Sequence, residues 1–232
     1  MNGNASAEDR KWIHIKKSGK GQLAPALLWL LVFLSLFAFL NTQGMHEMST
    51  WIRWATLAQE IDPVYAYHND PNAYPPGTMS VLFLALSSTP GLDPGVSIKL
   101  LLAFASALVS CSLGVWLKSW VVAYIALIFF WVSAVMLGHL DVLYALPLVL
   151  SLWALSRRAW MFASFFFGVS TLIKWQPLII LPFIVVFLLN EAFRYNGWKA
   201  RIRLLGQAAV PFVIVYLITF QVFGFEYLFS SV

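Results

Sequence analysis

Long apolar runs separated by short polar turns constrain this chain more than any other feature of its sequence. A helix of about 20 apolar residues crosses a bilayer, whereas a run of about 10–14 is typical of an interfacial or re-entrant segment. With 60% hydrophobic and only 11% charged residues, the chain is predicted to be an all-α, polytopic transmembrane bundle. Seven spans are predicted, near residues 22–41, 95–117, 119–137, 142–156, 159–173, 177–190 and 204–223.

The first span differs from a cleaved signal peptide. Its apolar run, residues 23–40, exceeds the usual length of about 7–15 residues, and no small-residue cleavage site follows it. We therefore expect a basic cytoplasmic tail, residues 1–21, and one transmembrane domain, residues 22–232. The single cysteine, Cys111, excludes an internal disulfide. The net charge of +5 is explained by cytoplasmic lysines and arginines and indicates no nucleic-acid partner.

The short apolar run at residues 77–88 is assigned by the positions of the charges. Cytoplasmic loops of membrane proteins collect Lys and Arg. If this run does not cross the membrane, the 15 basic residues of the chain all lie on the cytoplasmic side except three: Arg53, Lys99 and Lys174. If it does cross, the basic residues at 194–203 fall outside. We therefore predict that residues 77–88 form a re-entrant or interfacial helix within a first outer loop, residues 42–94.

The first outer loop contains a predicted amphipathic helix at residues 45–61. Its polar face carries His46, Ser49, Arg53, Thr56 and Glu60, and its apolar face carries Met48, Trp51, Trp54, Ala55, Ala58 and Ile61. We expect this helix to lie along the outer membrane surface, with its tryptophans at the level of the lipid headgroups. Glu47 breaks the pattern, since it projects from the apolar face. It either complements the helix dipole from the first turn or takes a proton from an incoming hydroxyl.

Three further outer features carry polar groups, and each has a structural and a functional interpretation. Tyr74 is either an interfacial anchor or a ring that stacks on a sugar. In the turn that follows the third span, Gly138 and Asp141 either cap the flanking helices or, with His139, line a site. Lys174 either extends to the interface from a helix end or binds an anion such as a lipid phosphate.

The outer histidines and acids lack the spacing of a metal site. They share only their predicted side of the membrane, and no HExxH motif or paired ligand spacing is present. We predict no cofactor, and the sequence does not support a divalent metal. The residues concerned are His46, His68, His139, Glu47, Asp70 and Asp141.

The order of these elements resembles the C-type membrane glycosyltransferases, which use polyprenyl-phosphate-linked sugars. The similarity is carried by HEMSTWIRWATLAQEIDPVY, YPPGTMSVLFLAL, GHLDVLYALPLVL and LIKWQPLIILPF, in that order along the chain. It is closest to the polyprenyl-phosphate-mannose-type mannosyltransferases. The resemblance implies a seven-helix N-terminal module whose first outer loop carries the catalytic acid.

The resemblance also implies roles for individual residues. Glu47 would act as the base on the acceptor hydroxyl, while His139 and Asp141 would line the site and Lys174 would lie near the donor phosphate. The family usually has Asp at the position of Glu47, and its members continue with further helices that a partner chain would supply here. The candidate catalytic residues are therefore Glu47 and Asp141, and the candidate substrate-binding residues are His46, Arg53, Tyr74, His139 and Lys174.

The predicted function is transfer of a sugar from a polyprenyl-phosphate-linked donor to an acceptor hydroxyl at the extracytoplasmic face. The expected partners are membrane lipid, the lipid-linked donor and a chain that supplies further helices. One alternative is an inactive, accessory or truncated relative, because the chain stops soon after its last predicted span. The other is a transporter of a lipid-linked substrate, although most predicted spans contain no interior charge and no repeated pair of interrupted helices is visible. We favour the enzyme.

Overall fold

The computed structural model describes residues 34, 39, 46–69, 74–194 and 197–224. All of them except Leu34 belong to one compact unit, Phe39–Val232. The predicted first span, residues 22–41, lies outside the described residues apart from Leu34 and Phe39, which are both helical. The predicted boundary between tail and domain also lies outside them.

The described residues form helices connected by short turns, with no strand among them. Three helices occupy the predicted first outer loop: α1 (His46–Ile61), α2 (Pro63–Asn69) and α3 (Pro76–Ser88). The helices that follow are α4 (Pro94–Leu117), α5 (Trp120–Phe130), α6 (Asp141–Ser156), α7 (Trp160–Ile173), α8 (Leu181–Phe193) and α9 (Trp198–Phe223). A π-helical segment, Trp131–Met136, continues α5, and a 3₁₀ segment, Gln176–Ile180, precedes α8.

Each predicted span after the first coincides with a helix to within a few residues. Among the described residues, three helical segments are long and apolar enough to cross a membrane: Pro94–Trp116, Gln176–Phe193 and Trp198–Phe223. Four shorter apolar helices accompany them: Pro76–Ser88, Trp120–Met136, Asp141–Ser156 and Trp160–Ile173. The all-helical prediction is confirmed, and the three long helices are compatible with a membrane location. The count of seven crossings stays a prediction.

Helix α1 packs into the protein core, so its apolar face contacts protein and not lipid. The predicted helix is present, and Met48, Trp51 and Trp54 are all buried while Arg53 is exposed. The Trp51 ring lies 5.1 Å from that of Trp54, and its Nε1–H donates to the Gly138 carbonyl at 3.1 Å. These tryptophans are therefore covered by protein and not by lipid headgroups, while the level of this helix in the membrane stays a prediction. The same periodicity serves burial against α3, whose contacts with α1 are extensive.

The start of α3 lies directly against the end of α7. The Thr78 hydroxyl donates to the Ile173 carbonyl, and Pro76 occupies the first helical position, where a missing N–H costs nothing. A Cβ atom at Gly77 would lie only 2.5 Å from the Leu172 carbonyl oxygen. Only glycine therefore permits this approach, which brings the segment before α3 close to the turn after α7.

Lys99 lies inside the helical core and not on an outer surface. It is only 1% exposed within α4, and its ammonium donates to the Phe39 carbonyl. The sequence places Lys99 on the outer side of the membrane at the start of the span 95–117; its side chain is buried among the helices, and its side of the membrane stays a prediction. The aliphatic part of a lysine side chain is readily buried among apolar neighbours when its ammonium donates a hydrogen bond to a carbonyl oxygen.

Candidate functional site

The turn between the π-helical segment and α6 is pinned against α1. Gly138 has a positive φ of 82°, which favours glycine, and its N–H bonds to the Ala134 carbonyl at 3.0 Å. The predicted cap at Gly138 is confirmed. The predicted N-cap at Asp141 is wrong, because Leu140 holds that position and no side chain caps α6. Asp141 is instead the first helical residue, and its carboxylate bonds elsewhere.

Glu47 and His139 form the first ionisable pair of the site. The His139 Nδ1 atom lies 3.1 Å from Oε2 of Glu47, which joins the first turn of α1 to the turn before α6. The side chain of Glu47 is 51% exposed and that of His139 is 32% exposed. The carboxylate therefore reaches solvent from the helix end, while an imidazole holds one of its oxygens.

Lys174 and Asp141 form the second pair. The Lys174 ammonium donates to Oδ1 of Asp141 and lies 5.3 Å and 5.9 Å from the ring centroids of Tyr74 and Tyr144. Lys174 is only 16% exposed, whereas Asp141 is 44% exposed. Burial alone would lower the pKa of Lys174, but the hydrogen bond and charge of Asp141 outweigh it and raise this pKa. The ammonium therefore stays charged at neutral pH.

Tyr74 links the two pairs. Burial raises the pKa of its phenol; Lys174 acts to lower this pKa, and Glu47 and Asp141 act to raise it further. One side chain thus lies within electrostatic range of three of the predicted site residues. Three predicted site residues therefore lie together at one end of the helices: Glu47, Asp141 and Lys174. The first and the last of them are 127 positions apart in the sequence.

A cavity of about 460 Å³ adjoins the second pair. Tyr74, Lys174, Trp175, Gln176 and Ile179 line it, so an ammonium, a phenol and aromatic surface share one space. The Trp175 Nε1 atom is buried without a hydrogen-bond partner among the described residues.

One predicted site residue, Arg53, does not join this cluster. Arg53 lies on the exposed face of α1, whereas the buried face of that helix meets Tyr74. The side chain of His46 lies outside the described part of the chain. His68, which belonged to the hypothetical metal set, bonds through Nε2 to the Phe223 carbonyl at 2.7 Å. Within the described ranges, no group of three His, Cys, Asp or Glu side chains gathers as metal ligands.

The structure adds to the site two residues that the sequence did not assign to it, Tyr144 and Trp51. Tyr144 offers its ring to Lys174 and follows Asp141 by one helical turn, which places both on one face of α6. Trp51 follows Glu47 by four residues and fixes α1 to the Gly138 carbonyl. Helical spacing from the candidate acids would have pointed to both residues.

Comparison of the chain with protein-family models, curated proteins and solved structures finds no match. The roles of these residues therefore rest on the geometry of the site and on the chemistry of its side chains.

Proposed function

We propose that this chain transfers a sugar from a polyprenyl-phosphate-linked donor to an acceptor hydroxyl at the membrane face near Glu47. One observation carries the proposal: the mostly buried ammonium of Lys174 lies 5.3 Å from the Tyr74 ring, and that ring lies 5.0 Å from Trp51, one helical turn after the half-exposed carboxylate of Glu47. Such a transfer needs a base for the attacking hydroxyl and a cation for the departing phosphate. Both groups are present at one end of a helical, apolar protein.

Glu47 is assigned as the base. The acceptor oxygen attacks the anomeric carbon of the sugar as its proton passes to the Glu47 carboxylate. The bond from that carbon to the phosphate oxygen breaks, and its electron pair leaves with the polyprenyl phosphate. His139 holds Oε2 of Glu47 at 3.1 Å and so orients the carboxylate. A positioned base of this kind contributes about 10²–10⁴-fold to a rate.

Lys174 is assigned to the departing phosphate. Its raised pKa keeps the ammonium charged, and Asp141 fixes the position of that charge. The cavity of about 460 Å³ beside Lys174 offers space for the donor headgroup, with Tyr74 and Trp175 as aromatic walls for a sugar ring. Charge held in place before the reaction costs no reorganisation when the phosphate leaves.

The experiment is a transfer assay in membranes that contain the full chain. Radiolabelled polyprenyl-phosphate mannose is the donor, and both donor consumption and the label in endogenous acceptors are measured. Glu47→Gln keeps the shape but removes the base, so transfer should fall about 100-fold or more. Glu60→Gln, on the exposed part of the same helix, is the matched control and should retain the wild-type rate.

Folded protein is quantified in parallel by size-exclusion chromatography. Wild-type membranes that consume no more donor than membranes without the chain would contradict the proposed activity. Transfer that survives in Glu47→Gln but is lost in Lys174→Met would keep the activity and remove Glu47 as its base.

A further inference from the structure

The opposite end of α6 and α7 carries a second ionic cluster. Glu191 lies near the end of α8 with a side chain that is only 6% exposed. Its two oxygens contact Arg194 at 2.6 Å and Arg158 at 3.2 Å. Helices of 14–16 residues, at about 1.5 Å per residue, separate this cluster from the turns of Asp141 and Lys174 by about 20 Å. It is therefore independent of the candidate transferase site.

The arginines of this cluster remain available to a ligand. Their side chains are 60% and 62% exposed, and Glu191 contacts one nitrogen of each guanidinium. A guanidinium carries five N–H donors in a planar fork that suits phosphate. Further basic residues lie close to this cluster in sequence. Arg157 precedes Arg158 in the same turn, and Lys199, Arg201 and Arg203 belong to the first two turns of α9.

An apolar cavity of about 310 Å³ begins beside this cluster. Helices α6 to α9 enclose it, and Leu155, Trp160 and Leu205 line its wall close in sequence to the arginines. Two serines also line it, but both are engaged within the protein. Ser151 donates to the Ala163 carbonyl at 2.7 Å, and Ser164 accepts from the Phe212 N–H at 3.2 Å. The cavity is therefore suited to a hydrocarbon chain and not to a polar ligand.

Exposed aromatic side chains indicate that the end of the protein with the Glu191 cluster lies at a membrane interface. Trp198 and Phe193 are both 67% exposed, and the Arg201 guanidinium lies 5.3 Å from the Phe193 ring. Exposed tryptophan beside basic residues is typical of the headgroup level of a bilayer. A basic pocket between helices at that level favours an anionic lipid.

We propose that this end of the protein binds one anionic phospholipid, whose phosphate bonds to Arg158 and Arg194 while an acyl chain enters the cavity between α6 and α9. The buried carboxylate of Glu191 holds the two guanidinium groups in position beneath the phosphate. Because the cavity and the cations adjoin, headgroup and chain are recognised together. The proposal does not depend on the transferase activity.

The test is native mass spectrometry of the full chain in detergent, titrated with phosphatidylglycerol or with phosphatidylcholine of the same chains. Phosphatidylglycerol should bind about ten-fold more tightly, since each basic residue near a membrane surface favours anionic lipid. Phosphatidylcholine binding with equal affinity would overturn the proposal. Competition by glycerol phosphate as strong as that by the lipid would overturn the role of the cavity.

Variants separate the two parts of the site. Arg158→Gln, Glu191→Gln and Arg194→Gln together remove both guanidinium groups without leaving a buried charge, and should abolish the preference for phosphatidylglycerol. Arg203→Gln lowers the net charge by the same amount and should keep it. An equal loss in both proteins would show general electrostatic attraction and overturn the site.

Filling the cavity tests the acyl chain. Ala209→Phe places a ring in the cavity wall and should weaken phosphatidylglycerol about five-fold or more. Val210→Phe adds similar bulk at an adjacent exposed position that does not line the cavity, and should bind as wild type. Ala209→Leu is a smaller filling variant with the same expectation. Unchanged binding in either Ala209 variant would overturn the proposal.

Discussion

The two ends of α6 and α7 hold ion pairs with opposite arrangements of burial. At the candidate site the positively charged residue, Lys174, is mostly buried, and its negatively charged partner, Asp141, is half exposed. At the other end the acid, Glu191, is buried, and its two arginine partners are mostly exposed. One end thus presents carboxylates to solvent, and the other presents guanidinium groups.

This difference assigns different chemistry to the two ends. An exposed carboxylate, such as Glu47 or Asp141, accepts a proton or a hydroxyl donor. An exposed guanidinium binds phosphate through its planar fork of N–H groups. In each pair the contact between opposite charges fixes the position of both members. The comparison also predicts unequal costs of substitution, because removing an exposed partner leaves an uncompensated buried charge.

The largest effect is expected when Glu191 loses both of its partners. Arg158→Gln with Arg194→Gln leaves the Glu191 carboxylate, on a side chain that is only 6% exposed, without a compensating charge. The free energy of unfolding should fall by about 3–5 kcal/mol, measured by thermal and denaturant unfolding in detergent. Adding Glu191→Gln should restore most of the loss. Equal instability with and without that third change would contradict the role of the buried charge.

The sequence predicted the helices well because a run of apolar residues sets both the type and the length of an element. Helices α4 and α9 begin and end within a few residues of their predicted spans, at 95–117 and, less closely at the start, at 204–223. Helix α2 was missed. Its seven residues are too few to be stable alone, and burial of Ala66 and Tyr67 against the rest of the protein stabilises them.

Periodicity identified the apolar face of α1 but not what covers it. The spacing of Trp51 and Trp54 is the same whether the partner is lipid or protein. The deciding contacts come from residues distant in sequence, such as the Gly138 carbonyl and the Tyr74 ring. A pattern local to one helix holds no information about them.

The sequence predicted which residues form the candidate site better than it predicted which of them are in contact. Glu47, Asp141 and Lys174 follow from the charged turns that the sequence places on one side of the apolar helices. Their pairing does not, because Asp141 meets Lys174 through the packing of α6 against α7, and Glu47 meets His139 through the contact of α1 with the turn at Gly138. The association of Tyr74 with Lys174 follows from the close approach of α3 to α7 at Gly77.

A smaller effect is expected at the candidate site, where the buried charge is Lys174. Asp141→Asn removes the carboxylate that compensates this ammonium and should lower the free energy of unfolding by about 1–3 kcal/mol. Lys174→Met should cost less, because the half-exposed Asp141 that remains is solvated. Both are measured by unfolding in detergent. A greater loss in Lys174→Met than in Asp141→Asn would break the proposed asymmetry between the two ends.

The smallest effect is expected from alkaline pH, which titrates the candidate site but not the arginines of the other end. The pKa of Lys174 is raised in the folded protein, chiefly because the hydrogen bond and charge of Asp141 outweigh burial. The folded state therefore holds this proton more tightly than the unfolded state does. The stability that results is complete below the unfolded pKa of about 10.4 and is lost as pH rises through the folded pKa.

Tyr74 changes stability in the same direction, since burial raises the pKa of its phenol above the unfolded value of about 10. Wild-type protein should therefore lose more thermal stability above about pH 10 than a double variant that carries both Asp141→Asn and Lys174→Met, because the ion pair is absent from that variant. Lys199→Met, which removes an exposed lysine from the other end, should titrate as wild type. If all three proteins lost stability equally, the buried ammonium would contribute nothing that distinguishes the two ends, since arginine stays protonated throughout this range.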